Sequence, residues 1–327
     1  MNQNRLFGTD PEVFVITADS KLIEISGNLV EELIPPASFR VDMGVPTVIN
    51  ENNKHVFSQL DGVGRIIEDG AAFEFNVSPT HYPMELFSRV NRLKGELVDF
   101  VRQFGNFNVS RRMSTLFNAE KYWENRGEEF QYCVIAGCDP DYHPTYYDEV
   151  GFDKKASVIS TDDFPFRFAG GHLHIMNMSD NPGIYLHPFA PTVFDFTVGL
   201  INCMWGHPND SDEKTRLQQY GRPGRHRIQK YSDTVNGFEY RPPSNQWLSF
   251  TSVVQWMLFG GSLAGTIVEE EQVDNFLGTF FGDIPTMWST MINLDKKSSA
   301  SLFANVLQWS VENSIITLDE IPTISIG

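Results

Sequence analysis

Four short segments of the 327-residue chain each carry two polar residues spaced two apart. Asp10 and Glu12 lie in GTDPEVFV, and Glu74 and Asn76 in AAFEFNVSP. His172 and His174 lie in GGHLHIM, and Glu239 and Arg241 in GFEYRPP. Positions i and i+2 share one side of a β-strand, so each segment pushes its polar pair to one face. Val13, Phe73, Phe75, Leu173, Phe238 and Tyr240 then fall on the other. One such strand describes any solvated sheet face, which usually takes Lys, Thr, Ser and Gln. This set instead offers ligands for divalent cations together with one arginine suited to clamping an anion. Carboxylates gathered on one concave face repel each other unless cations sit among them, so the pattern predicts a divalent-metal site. For His172 and His174 the competing reading is a hydrogen-bonded interior pair. Beside the carboxylates, one is expected to contact metal or phosphate and the other to support it, with the choice between them open.

The segment RLQQYGRPGRHRIQK, residues 216–230, concentrates Arg216, Arg222, Arg225, Arg227 and Lys230 around a Gly-Pro-Gly turn. The chain as a whole carries a net charge of -17, which argues against a general nucleic-acid or anionic-membrane binder. An anionic substrate would need cations or a local basic patch to offset that charge. Arginine suits bidentate phosphate or carboxylate contacts, so the patch fits a small ligand with several phosphates. Neither GxxxxGK[ST] nor a GxGxxG after a strand occurs, so a nucleotide here would be held by metal and side chains. Metal carboxylates facing an arginine loop are what phosphoryl transfer from a nucleotide requires.

These residues need rigid elements to position them. Apolar residues make up 41% and charged residues 20% of the chain, a folded globular balance. The first eighty residues read as short strands punctuated by Gly, Pro, Asn and Asp. Over residues 84–102, Leu86, Val90, Leu93, Leu97 and Val101 recur at three- and four-residue steps, which predicts an amphipathic helix. Strand-like pieces follow near 107–115 and 130–137. The Asp-rich segment 139–165 reads as a long loop close to the site. Helices are predicted over 190–206, 212–220, 246–259 and 300–312, with 250–327 a helical C-terminal part. The expected fold class is α+β in one domain over 1–327: a mostly antiparallel sheet with helices packed on one side. The three cysteines form no CxxC pair, the N-terminus has no apolar signal core, and no apolar run is expected to reach membrane-spanning length, so a cytoplasmic location is expected.

GTDPEVF, AAFEFNVSP, AGGHLHI, YGRPGRHR and FEYRPPSNQWL, in that order over roughly residues 6–250, resemble the phage-encoded carboxylate–amine ligases of the type 2, phiEco32-like group. That group is placed in the glutamine synthetase and glutamate–cysteine ligase superfamily. The resemblance implies a funnel-shaped active site on a curved antiparallel sheet, with two or three Mg²⁺ or Mn²⁺ ions beneath ATP. It implies metal ligands at Asp10, Glu12, Glu74, Glu239 and one of His172 or His174, with Asp10 where the family normally has a glutamate. It places Arg222, Arg225, Arg241 and His172 near the nucleotide phosphates and Asn245 near substrate or nucleotide. Arg225, Arg241 and Glu239 are the expected catalytic residues. The implied reaction is attack of a substrate carboxylate on the ATP γ-phosphate, then displacement of phosphate from the acyl phosphate by an amine. Asp139, Asp141, Asp148 and Glu149 are weaker candidates for taking the amine proton. Small-molecule or peptide carboxylates and amines are the expected partners, with no nucleic acid and no membrane.

Three readings compete. A metal-dependent hydrolase would use His172, His174 and a carboxylate on Zn²⁺, leaving Arg222, Arg225 and Arg241 without a task. A glycosidase would pair Glu74 with Glu239 and leave the histidines unexplained. A phage structural or binding protein would keep the fold without catalysis.

Overall fold

A computed structural model of the chain describes residues 5–21, 23–25, 28–118, 130, 166–177, 187–205, 210–230 and 235–323. The expected strands near 130–137, apart from Phe130, and the loop 139–165, with Asp139, Asp141, Asp148 and Glu149, lie outside these residues. A four-stranded antiparallel sheet joins β1 (Arg5–Thr9), β14 (Leu173–Asn177), β16 (Asn236–Tyr240) and β15 (His226–Lys230) in that order. A five-stranded antiparallel sheet joins β2 (Glu12–Val13), β10 (Ala72–Val77), β9 (Gly64–Asp69), β8 (His55–Leu60) and β7 (Val48–Ile49). Smaller ladders use β3 (Val15–Thr17), β4 (Ile23–Ile25), β5 (Asn28–Val30), β6 (Leu33–Ile34), β11 (Phe107–Val109), β12 (Ser114–Leu116) and β13 (Phe166–Phe168).

The candidate strands therefore divide between two sheets that meet at Asp10–Pro11, where the chain leaves β1 and enters β2. Proline donates no ladder hydrogen bond, so it sits at such a break. The join is held by reciprocal Phe7–Thr80 backbone bonds of 2.8 and 2.9 Å and by Phe75 N–H donating to Pro11 O at 3.0 Å.

The alternation seen in the sequence decides which side packs. Phe7, Leu173, Ile175, Phe238 and Tyr240 are buried on the face away from the polar pairs. Phe194 stacks on Phe238 with ring centroids 4.4 Å apart. The helices on this side include α2 (Pro83–Arg102), whose Leu86, Val90, Leu93, Leu97 and Val101 are all buried. They also include α6 (Thr251–Glu269), which lies against β14 through Gly261. A Cβ on that glycine would lie 3.2 Å from Leu173 and 3.4 Å from both Ile175 and Phe7, so the small residue sets how close helix and sheet come.

One apolar core cluster runs from Phe7 to Ile316 through both sheets and the C-terminal helices. Helix α6 is long and apolar enough to cross a membrane, which corrects the expectation that no run reaches that length; 78% of it is buried inside the protein, as in a core helix. The remaining helices are α1 (Pro36–Val41), α3 (Ala190–Phe194), α4 (Leu200–Trp205), α5 (Asp210–Gln219), α7 (Val273–Phe280), α8 (Ile284–Asn293) and α9 (Lys296–Glu312). The predicted helix over 190–206 is interrupted by a π-helical stretch at Asp195–Gly199, the kind of local widening often found beside functional sites.

Candidate metal and phosphate site

The residues singled out by their spacing gather around the join. Across the first sheet, Gly8, His174, Glu239 and Arg227 face each other in register. Across the second, Glu12 pairs with Glu74, and Glu74 with Ile67, two residues before Asp69. Asp10 closes the gap between the two rows. Its Oδ1 lies 3.1 Å from His172 Nδ1 and its Oδ2 lies 3.1 Å from His174 Nε2. His172 Nδ1 also lies 3.3 Å from Glu239 Oε1.

Among the described residues, two groups of three have ligand spacing. Asp10, His174 and Glu239 form one; Glu12, Asp69 and Glu74 form the other; in each, the ligand atoms lie within 4.8 Å of one another. Oxygen-rich sets of this kind suit hard divalent cations such as Mg²⁺ and Mn²⁺. The chemistry of the second group passes a further test, because a cationic group already stands there. Lys54 Nζ lies 2.8 Å from Asp69 Oδ1 and 3.5 Å from Glu74 Oε2, occupying part of the position a metal ion would take.

The electrostatics differ between the groups. Burial alone would raise the Asp10 carboxyl, but the charge and hydrogen bonds of His172 and His174 hold it well below the ordinary 3.8. Burial would depress His174, yet Asp10 outweighs it and raises His174 above 6.5. Burial opposes ionisation of Glu239 too, but His174, His172 and Arg241 together lower it below 4.5. The first group is thus internally balanced. In the second, burial and the neighbouring Asp69 raise Glu12 above 4.5 and push Glu74 well above it, with Lys54 offsetting only part of the effect on Glu74. Glu12 and Glu74 thus hold protons more tightly than free carboxyls do, and a divalent cation would displace those protons.

Around the carboxylates lies a cationic rim. Arg241 Nη1 donates to Glu239 Oε1, the Gln229 amide donates to Glu239 Oε2, and Arg227 Nη1 stands 3.6 Å from that oxygen. Tyr220 Oη lies 2.9 Å from His172 Nε2 and accepts from Arg241 Nη2 at 3.2 Å, linking histidine to arginine. The turn carrying Arg222 and Arg225 is tied to the end of β16 by Arg241 N–H donating to Arg225 O at 3.0 Å. The π-helical stretch fixes the same turn: Asp195 Oδ1 accepts from Gly224 N–H at 2.9 Å and from Tyr240 Oη at 2.7 Å. Arg216 is the exception within the basic segment. It is fully buried, paired with Glu213 at 2.7 Å, and donates to Pro242 O, so it braces the turn and is sealed from any ligand.

The two glycines before His172 sit where backbone approaches backbone. A Cβ on Gly171 would lie 2.6 Å from both Asn245 Cα and Ser244 O. Gly170 N–H donates to Glu12 Oε2 at 2.7 Å, and Trp247 Nε1 donates to Gly171 O at 2.7 Å. Asn245 donates through Nδ2 to Glu12 O at 2.6 Å, so its amide holds the segment that carries Asp10 and Glu12.

Asp69, Lys54, Tyr220 and Gln229 are the site residues the spacing pattern missed. Asp69 precedes Gly70 in a hairpin and reads as a turn residue; Lys54 sits in the polar run NENNK.

No family model matches the chain, and no curated protein matches it. Among solved structures it is similar to the complex between the prokaryotic ubiquitin-like protein Pup and its ligase PafA, at 10% identity over 97% of this chain and 70% of that one, with a TM-score of 0.34. It is similar to GmaS without ligand at 13% identity over 97% of this chain and 71% of that one, again with a TM-score of 0.34. Likeness at this level says nothing about activity, and the functional reading rests on the side chains.

Proposed function

We propose that the chain is an ATP-dependent carboxylate–amine ligase that forms an amide bond through an acyl phosphate. The observation that carries the reading is the pair of ligand groups on either side of Asp10–Pro11, with Arg241 and Arg227 at the edge of the first. One Mg²⁺ or Mn²⁺ ion would be held by Asp10, His174 and Glu239, and another by Glu12, Asp69 and Glu74. When bound, the cations offset the charge of the triphosphate and polarise the phosphoryl group.

The chain's own residues do the rest. Asp10, shared between His172 and His174, fixes both rings. Tyr220 orients His172 and the Arg241 guanidinium together. Arg241, Arg227 and the Arg222–Arg225 turn supply positive charge toward the phosphates, where the transferring group gains charge. The substrate carboxylate oxygen bonds to the γ-phosphorus as the bond to the bridging oxygen breaks and ADP departs. The amine nitrogen then bonds to the acyl carbon, gives up a proton, and phosphate leaves with the bonding electrons. Holding both substrates on this rigid frame supplies the orientation that the bimolecular reaction in water lacks.

The zinc-hydrolase reading has less support, because among the described residues each group with ligand spacing contains at most one histidine. A glycosidase is disfavoured by Glu239, which is fully buried and bonded to Arg241 and so cannot meet a sugar. One catalytic unit over residues 1–327 and a cytoplasmic site of action complete the proposal, with small-molecule or peptide carboxylates and amines as partners. The test is release of ADP and phosphate from ATP and Mg²⁺ over a panel of carboxylate–amine pairs, with amide product followed by mass spectrometry. Phosphate release that requires both partners supports ligation; release that requires neither points to hydrolysis.

A further inference from the structure

The ammonium of Lys54 is built into the second ligand group by its turn. Asn50 Oδ1 accepts from the backbone N–H groups of Asn52 at 3.0 Å and Lys54 at 2.8 Å, and Asn50 N–H donates to Lys54 O at 3.0 Å. Asn53 takes a left-handed φ of 58°, which asparagine tolerates better than most residues. These bonds hold the start of β8 so that Lys54 reaches Asp69 at the end of β9 and Glu74 on β10 beyond it. Its side chain keeps 25% of its exposure, so an open path to water remains for it to leave by.

We propose that Lys54 is an intrinsic competitor for the second divalent cation, and that its displacement sets how tightly that cation binds. The inference rests on the metal-binding reading above. A lysine and a divalent ion cannot share Asp69 Oδ1 and Glu74 Oε2 at close range without like-charge repulsion. The ion therefore binds only as Lys54 swings out toward solvent, and its apparent affinity is reduced by the strength of the Lys54 contacts. A released Lys54 stays tethered at the rim of the site, where its charge faces an arriving anionic ligand.

The experiment is calorimetric titration of Mn²⁺ alone into the metal-free full chain. Wild type is compared with Lys54→Met, Lys54→Arg and Asp69→Asn, each checked for folding by thermal melting. Removal of the competing charge is expected to tighten the weaker Mn²⁺ step by about twofold to fivefold in Lys54→Met, as for loss of a partly exposed ion pair. Lys54→Arg, which keeps the charge, should bind no more tightly than wild type. Amine labelling of Lys54, read by mass spectrometry, should increase when Mn²⁺ is added. Two Mn²⁺ steps in wild type with Lys54→Met unchanged or weaker would overturn the inference and leave the metal reading standing. Absence of Mn²⁺ binding in wild type and Lys54→Met alike would overturn both. Binding gained only in Lys54→Met would support the competition in its strongest form.

Discussion

Asp10 Oδ2 lies 3.1 Å from His174 Nε2, at the point where the chain crosses from one sheet to the other. The contact depends on Gly8, which faces His174 across the ladder and presents no side chain of its own. Removing the Asp10 charge should therefore do two things. In metal-free Asp10→Asn the His174 imidazole should titrate lower than in wild type, because the partner that raises it is gone. Mn²⁺ affinity should also fall by at least about tenfold, as when a carboxylate ligand becomes an amide. NMR titration of the histidine ring protons and calorimetry check the two effects separately.

Tyr220 holds His172 and Arg241 through one hydroxyl. Tyr220→Phe keeps the ring and removes the bridge, at a cost of about 1 kcal/mol of stability. The larger expected effect is on nucleotide binding, since Arg241 loses the contact that aims it. Affinity for an ATP analogue with Mg²⁺ should drop while binding of Mn²⁺ alone stays close to wild type, a split that a general loss of stability would not produce.

Stability of the metal-free protein should fall as pH rises. Glu74 titrates well above 4.5 in the folded chain, so between 4.5 and that raised value the folded state binds more protons than the unfolded one. The stabilisation is full below 4.5 and is lost as pH rises through the folded value. His174, raised above 6.5, acts in the same direction over a higher range. Thermal melts in a chelator should therefore show a midpoint that declines as pH rises above about 5. Glu74→Gln should flatten that decline and raise the midpoint at the alkaline end, while losing the stabilisation that added Mg²⁺ gives wild type.

Gly171 packs on the backbone of Ser244 and Asn245, where neither neighbour can turn aside. Gly171→Ala should cost roughly 1–3 kcal/mol, the range for overpacking, and should shift His172 with it. Chemical denaturation gives the stability loss, and metal titration shows whether the displaced strand still assembles the first group.

Much of this site could be read from alternation alone. Asp10, Glu12, Glu74, His172, His174, Glu239 and Arg241 all declare themselves because a period of two, with apolar residues between, survives any uncertainty about which strands are neighbours. Helix Pro83–Arg102 was equally plain from its buried stripe. What alternation cannot supply is register. Lys54 reaches Asp69 and Glu74 only because β8, β9 and β10 are aligned as they are, and nothing within NENNK points to partners 15 and 20 residues away. Tyr220 follows helix α5 and meets His172 through the path of the chain, not through spacing. Arg216 shows the opposite error: its charge suggested a ligand contact, but an acidic residue three positions earlier and a carbonyl on Pro242 claim it. The π-helical interruption left no mark in an apolar run that otherwise reads as plain helix.

In the proposed reaction the two ligand groups hold divalent cations for a nucleotide triphosphate. The most direct measurement is calorimetric titration of a non-hydrolysable ATP analogue into wild type and Glu74→Gln, each with Mg²⁺ and with chelator. Binding to wild type is expected to require Mg²⁺ and to be lost in Glu74→Gln, with the variant still folded. No binding to wild type in Mg²⁺, or equal binding in chelator, would contradict it.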